Sequence, residues 1–125
     1  MPVTYEIDSA RRLVRTRCVG AVTVAEVLTH FDELERDPER PAQLDVILDL
    51  TGSTTLPESD QLRVVAARVG EVQAPRFGRV AIVADRDSMF GMARMFEVFA
   101  QAHFAESRVF RQVDEAERWL ATKTD

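Results

Sequence analysis

The sequence predicts a small α/β sandwich, a single domain over residues 1–125 with the element order β-β-α-β-α-β-α-β-α. Three observations predict it. The first two apolar segments alternate every second residue, whereas the stretches that follow repeat at helical spacing. Two later segments, "LDVILDL" and "RVAIVA", hold unbroken apolar runs, Val46 to Leu48 and Val80 to Ala84, the pattern of strands covered on both faces and hence central and parallel. Strands that alternate with helices need right-handed crossovers, which pack helices on a mixed sheet.

Each element follows from its residues. In "VTYEID", Val3, Tyr5 and Ile7 share one face and Thr4, Glu6 and Asp8 the other. In "RLVRTRC", Val14, Thr16 and Cys18 oppose Arg15 and Arg17. The polar turn "DSAR" between them makes an antiparallel hairpin with one wet face. Val24, Val27, Leu28, Phe31 and Leu34 then recur at helical spacing. Thr23 and Glu26 form a capping box at the start of this helix, and Pro38 and Pro41 end it. The central strand "LDVILDL" leads to a helix carrying Leu62, Val65, Ala66, Val69 and Val72, with its start at Pro57 or Ser59. The second central strand runs through Val80 to Ala84. "RVFRQV" is a short last strand. Asp114 and Glu117 have capping-box spacing before a final helix anchored by Ala116, Trp119 and Leu120.

The helix after the second central strand is unusual. "SMFGMARMFEVFAQAHF" holds three of the four Met and four of the seven Phe. Met89, Met92, Met95, Phe96, Phe99, Ala102 and His103 cover one broad face, against a narrow polar stripe of Arg94, Glu97 and Gln101 on which Phe90 also falls. A helix on a sheet needs an apolar stripe of about 100°. The surplus here calls for cover by neighbouring helices, a second subunit or a ligand. Met92, Phe96 and Phe99 read as core; Phe90, Met89 and Met95 read as facing a partner or cavity. A homodimer at micromolar concentration is the expected assembly.

Composition bounds the function. A chain of 125 residues buries roughly two-thirds of its unfolded surface, enough for an autonomous core. Net charge is −5 without a basic block, which argues against nucleic acid. One cysteine precludes an internal disulfide and fits a reducing compartment. The N-terminus "MPVTYEIDSA" lacks a basic region followed by an apolar run, and no stretch reaches the roughly 18 apolar residues of a membrane helix. The expected protein is soluble, unsecreted and cytoplasmic, without a transmembrane segment.

Little in the residues points to catalysis. Cys18 shares its face with Val14 and reads as a core thiol rather than a nucleophile. His30 falls on the wet face of its helix, one turn from Glu26. His103 closes the Met/Phe helix, where an imidazole suits the negative end of the dipole. Asp49, Asp85 and Asp87 could suggest a metal, but strand-end and cap roles account for them; no metal and no cofactor are expected. The loops "TGSTT" and "DRDS" follow the parallel strands, at the rim where α/β folds bind ligands. They could receive a polar head group, or serve only as a Thr51-Gly52 turn and a cap by Asp87 or Ser88. The candidate ligand site is therefore Phe90, Met89 and Gly91 as a wall, with Thr51, Ser53 and Asp87 at the mouth.

The words "VAIVA", "FGMARMFEVFA" and "RVFRQVDEAERWL", roughly residues 80–120, together with the element order, resemble the SpoIIAA-like, or STAS, domain family. The nearer likeness is to a bacterial STAS/CRAL-TRIO-related subfamily. The resemblance implies a non-enzymatic regulatory or ligand-binding domain. In the signalling branch of the family, anti-sigma-factor antagonists carry a phosphorylatable serine at the start of the helix after the first central strand. Ser59 is nearest that place, within "DLTGSTTLPESDQL", which lacks the branch's Asp-Ser-Ser-Gly word. The expected function is a non-enzymatic binding module holding a small apolar or lipid-like molecule or a partner protein; the alternative is a phospho-regulated antagonist acting through Ser59.

Overall fold

The computed structural model describes residues 2–73 and 75–122. Strands β1 (Val3–Asp8) and β2 (Leu13–Gly20) form the hairpin, paired from Val3 opposite Cys18 to Asp8 opposite Leu13. Helix α1 (Val24–Arg36), strand β3 (Gln43–Ser53), helix α2 (Ser59–Glu71), strand β4 (Arg76–Val83) and helix α3 (Asp87–Ala100) follow. A short turn of 3₁₀ helix (Gln101–His103), strand β5 (Glu106–Phe110) and helix α4 (Val113–Ala121) complete the described chain. The order matches the sequence expectation.

The strands lie side by side in chain order, β1-β2-β3-β4-β5. Only the first pair is antiparallel; the other three pairs are parallel. Each parallel crossover steps one strand in the same direction, so right-handedness puts α1, α2 and α3 on one face. The residues agree. Val80 and Ile82 of β4 pack with Leu62, Ala66 and Val69 of α2 and Ala93, Phe96 and Ala100 of α3. The alternate residues Ala81 and Val83 pack with Leu13, Ile47 and Ala116 against α4. Ala81, Ile82 and Val83 are all buried, which is why β4 reads as a continuous apolar run.

Local chemistry fixes the pieces. The Thr23–Glu26 capping box is present: the Glu26 N–H donates to Thr23 Oγ1 at 3.2 Å and the Thr23 N–H to Glu26 Oε1 at 2.9 Å. The second expected box is not formed. The N-cap of α4 is Gln112, and Glu117 instead accepts from Arg15 Nε of β2 at 3.0 Å, a partner 102 residues away. Arg68 of α2 reaches Asp32, at 2.8 Å, and Glu35 on α1. Those carboxylate hydrogen bonds hold its guanidinium above its ordinary range. Arg63 of α2 lies 4.3 Å from the centre of the Phe99 ring on α3. The β3–β4 register shifts around Asp45, whose carboxylate accepts the Arg79 N–H at 2.9 Å; Gly78 is there because a Cβ would collide with that carboxylate.

Candidate functional site

The helical face of the sheet does not close completely. A cavity of about 390 Å³ lies between α1, α2, α3 and the carboxyl ends of β2, β3 and β4. Cys18, Leu48, Leu50 and Ile82 form its sheet wall; Val24 and Val27 enter from α1, Leu62 and Val65 from α2, and Met89, Met92, Ala93 and Phe96 from α3. The polar side chains in the lining are Thr23, Ser53, Thr55 and Gln61, at the end of β3, on the rim loops or in a first helical turn. Such a volume falls within the roughly 300–1,000 Å³ of small-molecule sites, which are mostly apolar with a few placed polar groups.

Two loops shape the mouth, and one side chain ties them. The Val22 N–H donates to Thr55 Oγ1 at 3.1 Å, and the Thr55 hydroxyl donates to the Val22 carbonyl at 3.0 Å. The Thr54 N–H adds a bond to the Gly20 carbonyl at 2.9 Å, where Gly20 takes a left-handed φ of 74°. Leu56 stands beside this latch with its side chain half in water, although it lines the cavity. Arg86, before α3, reaches the Ser53 carbonyl.

A second, smaller cavity of about 80 Å³ lies beside it. It shares Cys18, Val27, Leu48, Val65 and Phe96 with the first and adds Thr16 and His30. Cys18 is a buried wall residue, as expected, and burial, with Asp49 second, pushes its thiol up to about 11. It is therefore protonated in neutral water and a poor nucleophile. His30 departs from expectation. It is not on the wet face but buried, 9% exposed, with Nε2 3.3 Å from Thr16 Oγ1. Its ring meets Tyr5 at 5.2 Å and Phe31 at 5.4 Å between centroids. Burial pushes its pKa down to about 4, so the ring is neutral. Position 30 lies three residues after Val27 and four before Leu34, so helical spacing already marked it as inward.

Of the six candidate ligand residues, Met89 and Ser53 line the larger cavity and four do not. Phe90 is covered by Arg111, whose guanidinium sits 4.1 Å from the ring centre. Gly91 faces open space. Thr51 donates both its N–H and its hydroxyl to Asp49 Oδ1, at 2.9 and 2.6 Å. Asp87 pairs with Arg111 at 2.7 Å. What the sequence reading missed is the α1 side of the cavity, Val22 to Val27. A signal was present: Val22, Leu56 and Pro57 are apolar residues in loops, where polar ones are the rule. Ser59 is exposed as the first residue of α2, after the N-cap Glu58. Among the described residues, no group of three or more His, Cys, Asp or Glu side chains gathers where it could hold a metal, and no helix is long and apolar enough to cross a membrane.

A mixed five-stranded sheet in chain order, with three crossover helices on one face and a last helix on the other, defines a class that sequence comparison also finds. The SpoIIAA-like family model matches residues 13–121, and the chain belongs to that family. Among solved structures it is similar to an uncharacterised protein of the DUF3478 family with a SpoIIAA-like fold from Shewanella loihica PV-4. The two share 18% identity over 95% of this chain and 92% of that one, with a TM-score of 0.61, a likeness of fold. No curated protein matches the chain.

Proposed function

We propose that this domain is a non-enzymatic binding module that takes a small apolar or lipid-like molecule into the larger cavity. The observation that carries this reading is the volume of about 390 Å³ lined mainly by apolar side chains from three helices and the sheet. Leaving such surface in water forfeits roughly 25 cal/mol for each Å² that a ligand would cover. The protonated Cys18 and the neutral, buried His30 support a role without covalent chemistry. Met89 and Met92 give the wall adaptable side chains.

The test is titration with N-phenyl-naphthylamine, a neutral apolar dye, alongside native mass spectrometry of the purified protein. Saturable binding of one dye per chain is expected, weakened at least tenfold by Ala93→Leu, which fills the cavity from a wall residue that is 1% exposed. Unsaturable binding, or equal affinity in the filled variant, overturns the reading.

Regulation through Ser59 has weaker support. A phosphate there would meet the first turn of α2, but Glu58 and Asp60 flank it with like charge. As an assembly we propose a homodimer, supported by the exposed Met95 and Val98 of α3 and Val64 of α2. Sedimentation that shows only monomer at high concentration overturns it.

A further inference from the structure

We propose that the larger cavity selects uncharged molecules of medium length, with a body of about a dozen non-hydrogen atoms, over the fatty-acid-like anion of the same length. This rests on the binding reading above and adds the ligand's charge and size to it. Three observations of charge carry it. Among the described residues, none that lines the cavity is charged. The four polar side chains of the lining are engaged by the protein's own groups. Thr23 Oγ1 accepts the Glu26 N–H at 3.2 Å and donates to Glu26 Oε1 at 2.9 Å, and Thr55 is held by both polar groups of the Val22 backbone. Gln61 Oε1 accepts the Glu58 N–H at 2.9 Å, and the Ser53 hydroxyl donates to the Thr55 carbonyl at 3.4 Å. The charges that flank the lining residues are mostly negative: Glu26 in the first turn of α1, and Glu58 and Asp60 at the start of α2. Against them stands Arg86, which donates to the Ser53 carbonyl. Arg111 is paired with Asp87.

Size turns this into selection. At about 30 Å³ for each water-sized group in a liquid, a cavity of about 390 Å³ holds about 13 such groups. A carboxylate on a molecule of that size has two choices. It leaves water together with the body and meets no counter-charge, or it stays in water and holds part of the body outside. Either choice loses affinity, the second by surrendering apolar contact. A single hydroxyl costs an apolar site far less.

The experiment measures displacement of bound N-phenyl-naphthylamine from the wild-type chain by decanol, decanoate and hexanol. Decanol should bind at least about tenfold tighter than decanoate at pH 7. It should bind at least about fiftyfold tighter than hexanol, since each buried methylene is worth about fourfold. Decanoate should weaken about tenfold from pH 6 to pH 7, because an ordinary carboxyl is already ionised there and only its neutral form enters, whereas decanol holds its affinity. Decanoate within about threefold of decanol at pH 7, or a decanoate affinity equal at the two pH values, overturns the charge selection. Hexanol as tight as decanol overturns the size. Each of those results leaves the cavity reading standing, as does dye binding that decanol fails to displace, which overturns the whole of this inference. If the dye itself does not bind, both readings fall together.

Discussion

His30 links burial to acid sensitivity. Its pKa is about 4 in the fold against about 6.5 in an unfolded chain. The unfolded state therefore takes up a proton first as pH drops. The stability that the neutral ring contributes is complete above pH 6.5, declines between 6.5 and 4, and is lost below 4. The decline attributable to this residue is about 3 kcal/mol. Urea unfolding of wild type and His30→Phe at pH 7 and pH 4.5 checks it: the wild type should lose more stability than the variant over that interval. Gly78 is a second single-residue constraint. Gly78→Ala drives a methyl into the Asp45 carboxylate that holds the Arg79 amide. A loss of about 1–3 kcal/mol is expected in thermal or urea unfolding.

Among the elements, α3 divides its aromatic residues between two jobs. Phe96 is buried and lines both cavities, whereas Phe90 lies outside them beneath Arg111. Phe96→Ala should cost about 3–5 kcal/mol and alter dye binding. Phe90→Ala should cost about 1 kcal/mol, mostly its contact with Arg111, and leave dye affinity unchanged. Chemical denaturation paired with dye titration separates them. The loop latch is testable in the same way. Thr55→Val removes both bonds to Val22, and faster hydrogen exchange at the Val22 amide is expected, with a stability loss of about 1–2 kcal/mol. Amphipathic spacing made every helix readable, because burial of one face is a local property of sequence. The role of Phe90 was not readable, since its cover comes from Arg111, which follows a different strand. Glu117 failed for the same reason: a local capping pattern lost to a distant arginine on β2.

At the scale of the whole molecule, the order of elements was legible because alternation, continuous apolar runs and helical spacing each specify one kind of element. Which loops meet was not. Three consecutive right-handed crossovers bring residues 22–27 beside residues 53–57, and that proximity created the cavity mouth. Only Met89 and Ser53 of the expected site lie on the cavity because the reading followed the loops after β3 and β4 and the start of α3, and left out the loop after β2. The other face of the sheet has its own anchor. Trp119, the single tryptophan, packs on Phe110 at 5.6 Å and under Arg79 at 4.1 Å. Trp119→Ala should destabilise the fold by about 3 kcal/mol, read by circular dichroism during urea unfolding.

That second face has a consequence during synthesis. Leu13, Ile47, Ala81 and Val83 wait for α4, the final helix of the described chain, to cover them. The first three crossovers can assemble in the order in which they leave the ribosome, each strand docking beside the one before it. Throughout that time a greasy sheet surface stays open, and the nascent chain is most prone to aggregate just before α4 emerges. A chain stopped ahead of Val113 should therefore bind chaperones and fall into the insoluble fraction, while its hairpin and crossover helices have already formed.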